Sequence, residues 1–181
     1  MLYSKAVSDI KQHSKTNCHI INLVVQFKYI TLIYGDEMIR EIKIDELNEL
    51  LELYTHLHEL GVPEHNEDLE KTWNTICNNK NHHIIVCEVD GKIVSSCVCV
   101  IIPNLTRNIR PYAFIENVVT HADYRGKGYA TACLNYAKEL AITSDCYKMM
   151  LLTGSKNNKT LDFYKKAGYN SEDKTAFIQW L

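Results

Sequence analysis

Apolar and polar positions alternate along this chain with two different periods, and the period changes mark its elements. Ile39, Ile42 and Ile44 suit a short strand, and Leu47, Leu50, Leu51, Tyr54, Leu57 and Leu60 then follow at helical spacing. Asp45 stands where a side-chain oxygen could cap that helix, and Gly61, Val62 and Pro63 end it. A second helix is expected over Glu67–Cys77. His83–Val89 and Lys92–Ile102 flank Asp90-Gly91, the dipeptide of a two-residue hairpin turn. After a loop from Pro103 to Pro111, strands are expected over Tyr112–Thr120, Tyr147–Thr153 and Thr175–Leu181. They alternate with helices over Gly128–Thr143 and Asn157–Ala167, the latter closed by Gly168. Paired strands first, then strands alternating with helices, predict one α/β unit with a mixed sheet.

The first 37 residues read differently. A polar, basic start precedes the apolar run Cys18–Tyr34, CHIINLVVQFKYITLIY. His19, Asn22, Gln26 and Lys28 interrupt that run, so it reads as a strand pair or buried segment, not a membrane span. It also starts too late for a secretory signal. Met38 looks like a domain beginning, which divides the chain into an extension over 1–37 and a domain over 38–181.

The whole chain has 181 residues, 46% of them apolar, and a net charge of −2. That is enough chain for one sizeable core, and the charge supports neither a nucleic-acid nor an anionic-membrane partner. Seven cysteines occur without a Cys-x-x-Cys pair or histidines at zinc-finger spacing. They read as reduced thiols of a cytoplasmic protein, with no metal site. Cys97 and Cys99 should point to one face of a strand.

The chemistry gathers at Tyr124–Thr131, YRGKGYAT, between a strand and a helix N-terminus. Amide hydrogens there lack intrahelical partners, and the helix dipole favours an anion. Gly126 and Gly128 clear the approach to the backbone, and Arg125 and Lys127 add charge. A Walker A loop is absent, and the dinucleotide fingerprint fails because Thr131 stands in place of its third glycine. On the loop alone, a plain turn and a phosphate site are about equally supported.

The flanks decide between them. Glu116 to Ala130 closely resembles the acyl-CoA-binding motif of the GNAT superfamily of N-acyltransferases, whose R/Q-x-x-G-x-G/A loop is matched by Arg125, Gly128 and Ala130. The helix N-x-x-A-x-x-x-Y-x-x-x-G-F/Y of that family is matched by Asn157, Tyr164, Gly168 and Tyr169, with Thr160 in place of alanine. The resemblance covers about Met38 to Leu181. It implies the GNAT fold: a central mixed, mostly antiparallel sheet, splayed near the cofactor and flanked by helices.

The resemblance also implies acetyl-CoA as co-substrate and direct acetyl transfer to a primary amine in a ternary complex. Val118, Val119 and Thr120 would line the pantetheine arm, with the Val119 amide as oxyanion donor. Arg125, Gly126, Lys127, Gly128, Tyr129, Ala130 and Thr131 would hold the pyrophosphate, and Asn157 would approach the cofactor while also capping its helix. Glu116, an acid in the apolar stretch FIENVV, would be the base, its basicity raised by burial beside Phe114 and Val118. A solvent-facing strand charge is the plainer reading of Glu116, and His121 is the weaker alternative base. Tyr164 would be the general acid for the sulfur; without the resemblance it would read as core. Arg107, Arg110 and Tyr112 are candidates for holding an anionic acceptor. The partner is a small-molecule or peptide amine, and a homodimer stays open. The rival readings are a non-catalytic acyl-CoA-binding regulatory module, a glucosamine-phosphate-type amino-sugar acetyltransferase, and an ordinary nucleotide-binding domain.

Overall fold

The computed structural model describes residues 23–26, 29–34, 37–57 and 61–181, the first two segments by their backbone alone. Seven strands form a single sheet: β1 (Leu23–Gln26), β2 (Tyr29–Tyr34), β3 (Glu37–Glu41), β4 (His82–Val89), β5 (Lys92–Ile102), β6 (Tyr112–Thr120) and β7 (Met149–Leu151). They lie in chain order. β1 to β6 pair antiparallel, and β7 joins β6 in parallel. The helices are α1 (Leu47–Tyr54), α2 (Glu67–Asn78), α3 (Tyr129–Thr143) and α4 (Asn158–Lys166). This is the expected mixed, mostly antiparallel sheet flanked by helices.

β4 and β5 are near-continuous apolar runs because both faces of the sheet are covered. On one face Ile39, Ile85, Cys97, Cys99 and Ile115 pack under Leu134, Tyr136 and Ala137 of α3. On the other, Val86, Val98 and Val119 pack under Leu47, Leu50 and Leu53 of α1 and Trp73 of α2. Cys97 and Cys99 therefore share a face, as their spacing predicts. Asp90 and Gly91 both adopt positive φ, 50° and 75°, which is the geometry of the predicted hairpin turn.

Four details differ from the pattern reading. The first helix is preceded by a 3-10 turn over Ile44–Glu46, so Asp45 lies inside that turn. Glu46 takes the capping role, its carboxylate accepting the Lys43 amide at 2.8 Å. α1 ends at Tyr54 and continues as a turn to residue 57; Leu60 lies outside the described residues. β7 spans three residues rather than the seven of Tyr147–Thr153, because only Ala113–Ile115 of β6 face it. Residues 175–181 form no strand. Their alternation fits one, but Phe177, Trp180 and Leu181 stand almost wholly in solvent, and the segment does not pair with the outer side of β7, which ends the sheet. In the apolar run Cys18–Tyr34 the structure shows the hairpin β1–β2, and residues 18–22 lie outside the described segments.

Candidate active site

β6 has unequal edges. Along β5 it is paired from Tyr112 to Thr120; along β7 it is paired only at Ala113, Phe114 and Ile115. From Glu116 onward no strand among the described residues lies beside the second edge, which is the expected splay. The β5 side carries a bulge. Ser96 pairs with Val119 and Val98 with Glu116, so Asn117 and Val118 oppose the single residue Cys97. Asn117 takes a positive φ of 50° there. Ser95 Oγ donates to the Val119 carbonyl at 2.8 Å and shares a hydrogen bond of 2.8 Å with Thr120 Oγ1, tying down the strand beyond the bulge.

The chain then turns through Ala122–Tyr124 into the glycine loop. Gly126 and Gly128 have φ of 78° and 96°, values that side-chain-bearing residues rarely adopt. A Cβ at either would meet no protein atom within 4 Å, so the space in front of the loop is open. The first α3 hydrogen bond runs from the Ala132 amide to the Gly128 carbonyl, which leaves the amides of Tyr129, Ala130 and Thr131 without intrahelical acceptors. Such amides, facing open space, are a geometry that suits an anion. The Tyr129 side chain is buried in the core, so only its backbone is available to a ligand. Arg125 folds back over the strand end: its Nε donates to the Thr120 carbonyl at 3.1 Å and its guanidinium reaches the His56 carbonyl at 3.5 Å. The Lys127 ammonium sits 4.9 Å above the Tyr124 ring.

α4 faces this loop. Asn157 caps it, its side chain accepting from the Lys159 amide at 2.9 Å. A cleft of about 380 Å³ opens between α3 and α4, lined by Thr131, Lys159, Asp162, Phe163, Lys166 and Ala167. Thus the loop and the second motif meet in space. Lys159, Phe163 and Lys166 escaped the sequence reading; their four- and three-residue spacing on one helix face was the available signal. Tyr164 is half-buried beside Phe163 and Tyr169, with ring centroids 4.9 and 6.1 Å away. Burial, with Cys97 and Glu116 adding smaller effects, pushes its hydroxyl pKa up, so it keeps its proton.

Glu116 lies on the unpaired edge and is exposed. The expected burial beside Phe114 and Val118 does not occur, because the splay removes the neighbouring strand that would cover it. His121 is held in the loop: Nδ1 accepts from the Asp123 amide at 3.3 Å, and its ring lies 4.2 Å from that of His56. Arg107, Arg110 and Tyr112 gather at the other end of β6. Arg110 pairs with Asp145 at 3.1 Å and donates to the carbonyls of Asp145 and Cys146. Arg107 lies over the Tyr147 ring at 5.9 Å, and Tyr112 packs edge-on against Tyr147. β6 itself separates this group from the loop by eight residues, roughly 26 Å of strand. Among the described residues no cluster of histidine, cysteine or acidic side chains could hold a metal ion, and no helix is long and apolar enough to cross a membrane.

Known proteins match this chain in sequence and in shape. The profile of the acetyltransferase (GNAT) family matches residues 47–169. An uncharacterized N-acetyltransferase of Methanocaldococcus jannaschii is 31% identical over 149 residues, covering 79% of this chain and 64% of its own. A glucosamine 6-phosphate N-acetyltransferase of Trypanosoma brucei brucei is 34% identical over 84 residues, 46% of this chain and 55% of its own. This chain therefore spans less than two thirds of either relative. A solved structure described as an acetyltransferase from Agrobacterium tumefaciens str. C58 superposes with a TM-score of 0.73 at 34% identity, covering 78% of this chain and 99% of that one.

Proposed function

We propose that this chain, which belongs to the acetyltransferase (GNAT) family, moves an acetyl group from acetyl-CoA to a primary amine by direct transfer within one ternary complex. The observation that carries this reading is a juxtaposition. The unpaired edge of β6 from Glu116 to Thr120 leads straight into a loop with three free helix-terminal amides, and α4 faces that loop across an open cleft.

The thioester supplies an activated acetyl group, and the residues of the chain supply the rest. The amides of Tyr129, Ala130 and Thr131 bind the pyrophosphate, and the left-handed turns at Gly126 and Gly128 let it approach. Arg125 and Lys127 add charge around the loop, while Lys159 and Lys166 line the cleft where further phosphate would lie. Val118 and Thr120 offer strand backbone to the pantetheine along the open edge, whereas Val119, expected to supply the oxyanion amide, turns its backbone to β5, where its carbonyl accepts from Ser95 Oγ at 2.8 Å. Asn157 holds the start of α4 in place.

An alkylammonium titrates near pH ~10, so it must lose a proton before it attacks. Glu116 takes that proton, through water in its exposed position. Tyr164, held in its protonated form by burial, gives a proton to the departing sulfur. Direct transfer is favoured over an acetyl group carried by any cysteine among the described residues. The thiols of Cys77, Cys87, Cys97, Cys99, Cys133 and Cys146 are all pushed up by burial, which keeps them protonated and poorly nucleophilic. The cytoplasmic setting rests on the cysteine pattern of the sequence.

The identity to the trypanosome enzyme favours one acceptor class, an amino-sugar phosphate. The test is a screen of amines, including glucosamine 6-phosphate, that measures CoA release by the purified chain. Turnover with one amine class is expected. Tight acetyl-CoA binding with no turnover on any amine would instead make the chain an acyl-CoA-binding module.

A further inference from the structure

The cleft between α3 and α4 carries two unmatched cations. Thr131 lines it from α3; Lys159, Asp162, Phe163, Lys166 and Ala167 line it from the other side. Spacings of four and three residues put Lys159, Phe163 and Lys166 on one face of α4, with the ring between the two lysines. Phe163 is half-buried, its ring 4.9 Å from that of Tyr164. The small side chain of Ala167 one turn further on leaves the cleft open. Among the described residues neither ammonium has an ion pair or a hydrogen bond. The two lysines start roughly 10 Å apart along the helix axis. Their long, flexible stems can bring both ammoniums to one anion between them. Asp162 is the one carboxylate of the lining. It opposes an anion, so one lysine alone would be offset and both are needed.

We propose that this cleft reads the 3′-phosphate on the cofactor's ribose, and that Lys159 and Lys166 make the chain prefer acetyl-CoA to the same thioester without that phosphate. The inference rests on the acyl-CoA reading of the glycine loop. Thr131 belongs to both places: its amide is one of the three free amides of the loop, and the residue lines the cleft. With the pyrophosphate on those amides and the thioester arm along β6, the ribose end is the part of the cofactor left to place. The cleft, about 380 Å³, is the open space that begins at Thr131. A phosphate there gives both lysines the charged partner that the chain itself does not supply. Phe163 offers apolar surface to the base attached to the same ribose.

The test is calorimetric, with acetyl-CoA and acetyl-dephospho-CoA as the two probes. The unaltered chain should bind acetyl-CoA about tenfold more tightly, the size of charge-assisted contacts in a solvated cleft. Both lysines are exposed, so replacing them leaves the core intact. Lys159→Ala combined with Lys166→Ala should bring the two affinities within about twofold, by weakening acetyl-CoA alone. Asp162→Asn should widen the preference, and added salt should narrow it. Lys165→Ala removes the same charge from the same helix outside the lining, and should leave the preference unchanged. Equal affinities in the unaltered chain, a preference that survives the double variant, a narrowed preference in Asp162→Asn, or an equal loss in Lys165→Ala would each overturn the inference while leaving the cofactor reading in place. Failure of the unaltered chain to bind either thioester would overturn the acyl-CoA reading itself, and the inference with it.

Discussion

β5 has two unlike neighbours. On its β4 side the sheet is closed: every residue of β4 has a partner on β5. Its one deeply placed charge group is fully matched. Arg40 reaches Glu46 at 2.6 and 2.7 Å and Glu88 at 2.6 Å, with the Arg40 side chain 7% exposed. On the β6 side the sheet opens. There lie an unpaired edge, a bulge with Asn117 at positive φ, two left-handed glycines and an exposed carboxylate. The two halves use polar groups in opposite ways. In the closed half every buried charge finds its partner within the chain, so the group contributes to a rigid frame. In the open half the helix-terminal amides and the Glu116 carboxylate stand free along an open edge. A frame of the first kind is what allows a site of the second kind to hold its shape.

That contrast can be broken from either side. The largest effect should come from Arg40→Ala, which leaves Glu46 and Glu88 facing each other at low exposure. A loss of about 4 kcal/mol of stability is expected in chemical denaturation, while acetyl-CoA affinity of the folded fraction stays unchanged. A large loss of affinity at intact stability would show that the closed half is not merely a frame.

Gly128→Glu should do the reverse. It places a carboxylate before the free amides at a φ of 96°. Acetyl-CoA affinity measured by calorimetry should fall by more than about 100-fold, since an opposing charge now occupies an anion site. Unaltered affinity would remove the loop from the cofactor site. Tyr164→Phe comes next. Turnover should drop about 100-fold, in the usual range for loss of a proton-transfer group, with acetyl-CoA affinity nearly constant. An unchanged rate would return Tyr164 to the core.

The acid dependence of stability should sharpen the same comparison. Burial alone would raise the Glu46 pKa. The hydrogen bonds from Arg40 and the Lys43 amide, together with the Arg40 charge, outweigh burial and lower it. A group with a lowered folded pKa stabilises the native state at neutral pH. That contribution is lost as pH falls below the ordinary glutamate value and through the lowered one. The gap in melting temperature between the native chain and Arg40→Ala should therefore shrink on acidification. The smallest effect on the fold is expected from ending the chain after Lys174. The removed segment carries Phe177, Ile178, Trp180 and Leu181 in exposed positions. Melting temperature should hold within a few degrees, and light scattering should show less self-association once that apolar patch is gone. A chain beginning at Met38 should likewise keep stability and turnover; loss of either would place 1–37 within the working domain.

Some of this was legible in local pattern. Asp90-Gly91 announced its turn because two residues at positive φ demand that chemistry. Gly126 and Gly128 were readable for the same reason, and Asn157 was readable as a cap because capping involves only neighbours in sequence. The failures have a common cause. Asp45 was a sound cap by type, yet Arg40 recruits Glu46 and the helical N-cap falls one residue later, at Glu46. Alternation over Thr175–Leu181 predicted a strand, but pairing needs an edge that alternation does not report. Glu116 was expected to be buried, and the missing neighbour beyond Ile115 exposes it. Asn117 gave no signal, since a bulge is a mismatch between two strands and belongs to neither alone.

By itself the sequence determined which segments are strands and helices over most of the chain, where the glycine loop stands, and that Cys97 and Cys99 share a face. These are consequences of period, backbone conformation and capping, all set within a few residues of chain. Only the tertiary structure decided that β7 stops at three residues and that Lys159, Phe163 and Lys166 share a cleft with Thr131. Each of these depends on the register and spacing of segments far apart in the chain, which packing sets and local pattern does not record.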